Sequence, residues 1–215
     1  MLVKERMSKP VISVPPDMPI LDALKLMQRE KIRRVPVVKE GKMVGIVSDK
    51  DILNAGPSDA TSLSVWEMNY LMSKISVRDI MTTDVRTVHE DTPIEEAARI
   101  MADNKIGGLP VMSNGRVVGL ITETDLFKIL LELMGAREAG MRVTAVVPDR
   151  LGELAAITEA IAGAGGSFIA FGQYAGDDSA TRTVTFKVTG IDDEDAVREI
   201  VGPLVERITD VRSQD

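Results

Sequence analysis

At 215 residues, with 44% apolar and 27% charged side chains, the chain has the composition of a globular protein with room for one large domain or two ordinary ones. A formal charge of −7 and only 3% aromatic residues argue against a nucleic-acid partner, which needs basic surface and stacking rings. The absence of cysteine excludes disulfides, thiol nucleophiles and thiolate metal sites. The N-terminal MLVKERMSKPVISVPP lacks a long apolar core, and no stretch approaches about 18 uninterrupted apolar residues. Neither a signal peptide nor a membrane-spanning helix is expected, and a soluble cytoplasmic protein is the default.

Sliding the sequence on itself exposes a gapless repeat with an offset of 74. Met7 falls on Met81, Val11 on Val85, Pro19 on Pro93, Ala23 on Ala97 and Met27 on Met101. The match continues through Pro36 with Pro110, Gly41 with Gly115, Gly45 with Gly119, Ser48 with Thr122 and Asp51 with Asp125. Each copy begins with a short extended run, VISV or VRTV. A helix follows in PILDALKLMQREKI or PIEEAARIMADNKI, where a proline suits the first turn and apolar residues recur at helical spacing. Next comes a hairpin around a Gly-containing turn, RVPVVKEGKMVGIVS or GLPVMSNGRVVGLIT, and then a second helix at DKDIL or ETDLF. One such unit buries too little surface to stand comfortably alone, so the two are expected to pack face to face.

Between the copies, GPSDATSLSVWEMNYLMSKISVRDIM opens on a Gly-Pro breaker and reads as a helix from about Leu63, with Trp66, Tyr70 and Leu71 as packing anchors at helical spacing. After Phe127 the helix continues to the linker GAREAG. Beyond it the pattern changes: MRVTAVV, SFIAFGQY, TRTVTFKVTG and ERITDVRS read as strands, LGELAAITEAIAGAG and DEDAVREIVGPL as helices. The order βαββαβ predicts a ferredoxin-like sandwich with helices on one face of an antiparallel sheet. The chain thus divides into a first repeat (1–60), a connecting helical segment (61–80), a second repeat (81–134), a linker (135–140) and a C-terminal domain (141–215).

The motif shared by GIVSDKD and GLITETD has two readings. Ser48 with Asp51, and Thr122 with Asp125, have the spacing of a capping box that needs no ligand. Both also stand where a strand delivers the chain to a helix N-terminus, a place suited to a phosphate. There the hydroxyl could donate to phosphate and the carboxylate accept from ribose.

With RVPVV…GIVSDKD and GLPVM…GLITETD, residues 3–133 resemble a tandem cystathionine-β-synthase-type (CBS) module, the Bateman pair of α/β units. The resemblance implies an adenine nucleotide (AMP, ADP, ATP or S-adenosylmethionine) in two clefts. One would hold its phosphate and ribose on Ser48 and Asp51, the other on Thr122 and Asp125. It implies adenine flanked by Ile12, Ser13, Val35 and Pro36 in one, and by Arg86, Thr87, Leu109 and Pro110 in the other. Where the first copy has Arg33 and Arg34, the second has Gly107 and Gly108. Arg34 beside the first cleft would make it prefer the more highly charged nucleotide, while the glycines would leave the second open and less cationic. The alternative is that Lys31, Arg33 and Arg34 form a solvated basic edge. VVPDRLGELAAI resembles the start of an ACT domain, which implies an amino-acid-like effector near Asp149, Gly152 and Leu154. The alternative there is a plain strand-to-helix loop capped by Asp149. A CBS pair joined to an ACT domain resembles the bacterial acetoin-utilisation B-type family, which implies a regulatory role around acetoin metabolism and a homodimer.

No motif for catalysis emerges. His89, the only histidine, aligns with Pro15 in a loop, and no H-E-x-x-H, G-x-S-x-G or Walker-type pattern occurs. The expectation is a non-enzymatic ligand sensor without metal or catalytic cofactor; the alternative is a structural interaction module with empty clefts.

Overall fold

The computed structural model describes residues 1–56, 64–176 and 178–214. They form two compact units, Met1–Leu126 and Phe127–Asp215.

In the first unit the repeat is written into the backbone. The first copy contains α1 (Ile20–Glu30), β1 (Arg34–Lys39), β2 (Lys42–Ser48) and α2 (Asp49–Asn54). After α3 (Val65–Met72) and α4 (Val77–Ile80), the second copy contains β3 (Val88–His89), α5 (Ile94–Asn104), β4 (Gly108–Ser113), β5 (Arg116–Thr122) and α6 (Glu123–Leu133). The boundary between the units falls inside α6. Pro19 and Pro93 occupy the N-cap positions of α1 and α5, one residue earlier than the first turn. Both hairpins turn through two residues of positive φ, Glu40–Gly41 and Asn114–Gly115, the geometry that matches strand twist. The opening VISV is not a full strand: only Val14 bridges to Val37, in the parallel arrangement that β3 makes with β4.

Each copy has its own core, and the two cores correspond position by position. Val14, Ala23, Met27, Val35, Val37 and Val47 fill the first; Val88, Ala97, Met101, Leu109, Val111 and Ile121 fill the second. The segments ahead of the copies are exchanged. Val3 is buried in the second core and Val77 in the first. Val3 N–H donates to Thr92 O (2.9 Å) and Lys4 N–H to Glu90 O (2.9 Å), matched by Val77 to Met18 (2.9 Å) and Arg78 to Pro16 (2.8 Å). Ser8 bridges Leu120 as Thr82 bridges Ile46. This exchange explains the glycines of the repeated motif. A β-carbon on Gly45 would lie 2.7 Å from Met81 Sδ and 2.8 Å from Thr82 O, and one on Gly119 would meet Met7 Sδ in the same way. Each half therefore completes its partner, as the small size of one unit requires.

The helix between the copies departs from expectation. Its proposed start at Leu63 lies outside the described residues, and Trp66 and Tyr70 are 87% and 64% exposed, with Leu71 exposed as well. They do not anchor packing within the chain. Helical spacing puts residues on one face without saying what that face meets.

The second unit follows the last turns of α6 with β6 (Gly140–Pro148), α7 (Glu153–Gly163), β7 (Ser167–Ala175), β8 (Thr181–Thr189), α8 (Glu194–Val201) and β9 (Arg207–Gln214). The sheet order is β7-β8-β6-β9, with every pairing antiparallel. Alternate residues of β6 (Met141, Val143, Ala145, Val147) join Val184, Phe186 and Val188 of β8 against Ile157 and Ile161 of α7 and Val197 and Val201 of α8. The opposite face is more polar yet still covered. Thr144 and Thr185 share a hydrogen bond (3.1 Å), and Lys187, 2% exposed, donates to the carbonyl of Gly135 just beyond α6 (3.2 Å).

Candidate functional site

Two strand-to-helix turns, at Ser48–Asp51 and Thr122–Asp125, form the candidate site. In each hairpin the second of the paired arginines or glycines lies across from the motif: Arg34 pairs with Ser48, and Gly108 with Thr122. Directly opposed residues project to the same face, so Arg34, Pro36, Ile46 and Ser48 share the side away from the first core. Val35 and Leu109 project the other way and are fully buried in the two cores. Of these two residues only the backbone is left to face a ligand.

At the first turn Asp51 Oδ2 accepts from Ser48 N–H and from Ser48 Oγ–H, both at 2.7 Å, while Asp51 N–H donates to Ser48 Oγ at 3.3 Å. At the second turn Asp125 Oδ2 accepts from Thr122 N–H (3.0 Å) and Thr122 Oγ1–H (2.7 Å), and Asp125 N–H donates to Thr122 Oγ1 (3.4 Å). The capping reading is therefore realised at both. It is realised elsewhere too: Ser76 and Asp79 make the same bonds at 2.8 and 2.7 Å on an exposed helix start. Capping alone does not set Ser48 and Thr122 apart. What sets them apart is their place at the end of a hairpin strand, with Pro36 or Pro110 buried alongside.

Next to these turns run the chain segments read from the sequence as adenine flanks. Val14 N–H donates to Pro36 O (3.1 Å) and Val38 N–H to Val14 O (2.9 Å), which seats Ile12 and Ser13 beside the β1 end of the turn. Arg86 and Thr87 precede β3 in the same relation to Pro110, and both are exposed. Ile12 is half-buried against the first core.

The arginines depart most from expectation. Arg33 is exposed and lines a shallow cavity of about 360 Å³ with Leu24, Met27, Lys31, Asp49 and Leu53. Arg34 is half-buried and reaches over to the second copy, where its Nη2 lies 2.6 Å from the point a β-carbon of Gly107 would occupy. The glycines do not leave open space; the guanidinium fills it. Burial lowers the Arg34 pKa below its ordinary value, with Glu123 and then Asp49 pulling the other way. The sequence located the arginine but not the far end of a side chain that crosses between repeats.

In the second unit, Asp149, Gly152 and Leu154 line one cavity of about 450 Å³ together with Val147, Gln173 and Val184. Asp149 does not cap α7. It pairs with Arg182 at 2.8 Å, and the N-cap of α7 is Gly152 in the left-handed region (φ 95°). His89 is an exposed residue whose Nδ1 accepts from Asp91 N–H (3.3 Å). Among the described residues no group of three or more His, Asp or Glu side chains could hold a metal ion, and no helix is long and apolar enough to cross a membrane.

Comparison with known proteins agrees with the repeat. The curated relatives include the L-aspartate semialdehyde sulfurtransferase of Methanocaldococcus jannaschii, 34% identical over 130 residues, of which the match takes in 60% of this chain and 23% of that enzyme. An uncharacterised protein of the same organism is 34% identical over 155 residues, 61% of this chain and 92% of its own length. Among solved structures, the CBS domain pair of protein MJ0100 in complex with 5′-methylthioadenosine and S-adenosyl-L-methionine superposes with a TM-score of 0.52 at 33% identity, covering 64% of this chain and 98% of that one. A candidate acetoin utilization protein from Vibrio cholerae gives 0.53 at 31% identity, covering 64% and 96%. CBSX2 in complex with AMP gives 0.52 at 29% identity, covering 61% and 97%. The CBS domain itself matches twice, at residues 3–58 and 77–132, together just over half of the sequence. Two matches in register with the repeat, on two cores that complete each other, show that the chain belongs to the CBS-domain family.

Proposed function

We propose that this chain is a regulatory module that binds adenine nucleotide (AMP, ADP, ATP or S-adenosylmethionine) at the Ser48–Asp51 and Thr122–Asp125 turns. The observation that carries the reading is the placement of a hydroxyl and a carboxylate at the same point of two equivalent hairpins, each at a helix start. The adenosine ligands of the two similar CBS structures support it. In this reading the hydroxyl of Ser48 or Thr122 turns from its carboxylate to a phosphate oxygen, and the aspartate accepts from ribose instead. Pro36 and Pro110, with Ile12, Ser13, Arg86 and Thr87, flank the base. No step of chemistry on the ligand is assigned; binding is the output.

The second unit, in the same reading, is a ferredoxin-like ACT domain that takes a small amino-acid-like effector at the cavity of Asp149, Gly152 and Leu154. The chain acts as a homodimer in the cytoplasm, with a role tied to acetoin metabolism, for which the likeness to the Vibrio cholerae protein is the support.

A second reading is favoured by one observation: both capping boxes are complete, and Ser76–Asp79 repeats them at an exposed helix start. In that case the chain is an interaction module and the turns only start helices. A thermal-shift titration separates the two. Ligand at about a hundred times its dissociation constant adds about 2.7 kcal/mol to the folded state. A stabilisation by an adenylate that disappears in Asp51→Ala together with Asp125→Ala supports the sensor, and no shift with any of the four ligands supports the interaction module.

A further inference from the structure

The backbone of Arg34 belongs to one turn, and its guanidinium reaches the other. Its α-carbon lies opposite Ser48 in the β1–β2 ladder. Its Nη1, however, is 2.8 Å from the point where a β-carbon of Gly108 would stand, and Thr122 Cγ2 is 3.3 Å from that same point. Guanidinium and Thr122 side chain therefore share one small space beside the second hydroxyl. Gly108 is the position that matches Arg34 at the offset of 74, so the internal symmetry would provide an arginine at each turn. The chain has one, and both glycines of the second copy are needed to admit it. A β-carbon at Gly107 would meet Arg34 Nη2 at 2.6 Å and Glu123 Oε2 at 2.9 Å.

Around the guanidinium stand the charges of Glu123 and Asp49, the acidic residues that open α6 and α2, and of Asp51. A phosphate arriving at Thr122 finds a planar donor fork beside it, desolvated on one side and ready for a bidentate contact.

We propose that Arg34 is the phosphate-specificity residue of the second turn, supplied by the first repeat, so that the Thr122–Asp125 site takes a phosphate-bearing adenine nucleotide. The proposal rests on the adenine-nucleotide reading above. It reverses the assignment that residue order alone suggests, in which Arg34 serves the turn nearest to it in sequence.

Isothermal titration with AMP and with adenosine tests it on wild type, Arg34→Gln, and Arg34→Gln combined with Asp51→Ala or with Asp125→Ala. Arg34→Gln is expected to weaken AMP about tenfold and adenosine by less than about twofold. Unchanged adenosine binding also certifies that the variant is folded. The loss of AMP affinity persists when Asp51 is replaced and vanishes when Asp125 is replaced. The exchange variant Arg33→Gly and Arg34→Gly with Gly108→Arg moves the arm to the other copy, with glycine at both receiving positions, and the AMP preference follows it to the Asp51-dependent site. An unchanged ratio of AMP to adenosine affinity in Arg34→Gln overturns the proposal and leaves the nucleotide reading standing, as does a loss that tracks Asp51. If wild type binds neither ligand, both fall together.

Discussion

Val3 and Val77 occupy equivalent positions of the repeat, and each is fully buried in the core of the copy it does not introduce. The two halves are thereby linked by exchange of their leading segments, which is stronger coupling than contact between finished surfaces. Removing two methyl groups from a fully packed valine site costs about 2 kcal/mol. Hydrogen exchange read by mass spectrometry should place that loss on the far copy. In Val3→Ala the amides of β4 and β5 lose protection first, and in Val77→Ala those of β1 and β2 do. Loss confined to each valine's own copy would contradict the exchange.

The three Ser/Thr-x-x-Asp boxes provide an internal control for the candidate site. Asp51→Ala, Asp79→Ala and Asp125→Ala each remove one capping carboxylate, and each should cost about 1 kcal/mol or less without ligand. With AMP or S-adenosylmethionine present the three must separate. Asp79→Ala keeps the whole ligand-induced rise in Tm, whereas Asp51→Ala and Asp125→Ala each lose part of it. Equal rises in all three would reduce Asp51 and Asp125 to helix caps.

The repeat was legible because it is carried by local features: apolar spacing, a glycine in each hairpin turn, and prolines in register. What the glycines of GIVS and GLIT are for was not legible, since the atoms that forbid a side chain belong to Met81 and Met7. Arg34 shows the same limit. Sequence fixes where its α-carbon stands in the ladder, but a long side chain can serve a site elsewhere. The alternative role of Asp149 as a cap rests on its place before a helix, yet its partner is Arg182, which only the pairing of β6 with β8 brings near. Trp66 and Tyr70 have the spacing of a packed face, and that face is exposed. In each case the deciding neighbour is distant in sequence.

On β9, Asp210 accepts from Arg212 and also pairs with Arg142 of β6 at 2.8 Å. The hydrogen bond from Arg212, then the charges of Arg212 and Arg142, hold its carboxyl below the ordinary value of 3.8. Well above 3.8 both folded and unfolded chains are ionised and the full benefit is present. As the pH falls further, the unfolded chain takes up the proton first, and the benefit is lost down through the folded pKa. Urea unfolding of the full chain, followed by hydrogen exchange in β6 and β9, should show a smaller difference between Asp210→Asn and wild type at pH 3 than at pH 7. A difference that grew on acidification would reverse the sign and exclude this account.

Among the described residues Lys187 is the most deeply buried charge in the second unit, on the sheet face opposite α7 and α8, with its ammonium on the carbonyl of Gly135. That carbonyl lies at the end of α6, where unpaired C=O groups and the helix dipole favour a cation. Ile169 packs against Gly135 from the same side. A carboxylate at position 187 would face those oxygens without a donor, so Lys187→Glu should lose on the order of 3–5 kcal/mol. Lys187→Met removes a charged hydrogen bond and the cost of burying the charge together, and the two largely offset each other. The expected pattern is therefore a large drop in the urea midpoint for Lys187→Glu and a small change for Lys187→Met. In Lys187→Met, hydrogen exchange should still quicken at the turn of residues 134–136, since the shape is kept but the tie to the carbonyl is gone. Equal effects from the two substitutions would mean that the ammonium fills space and does not hold the helix end.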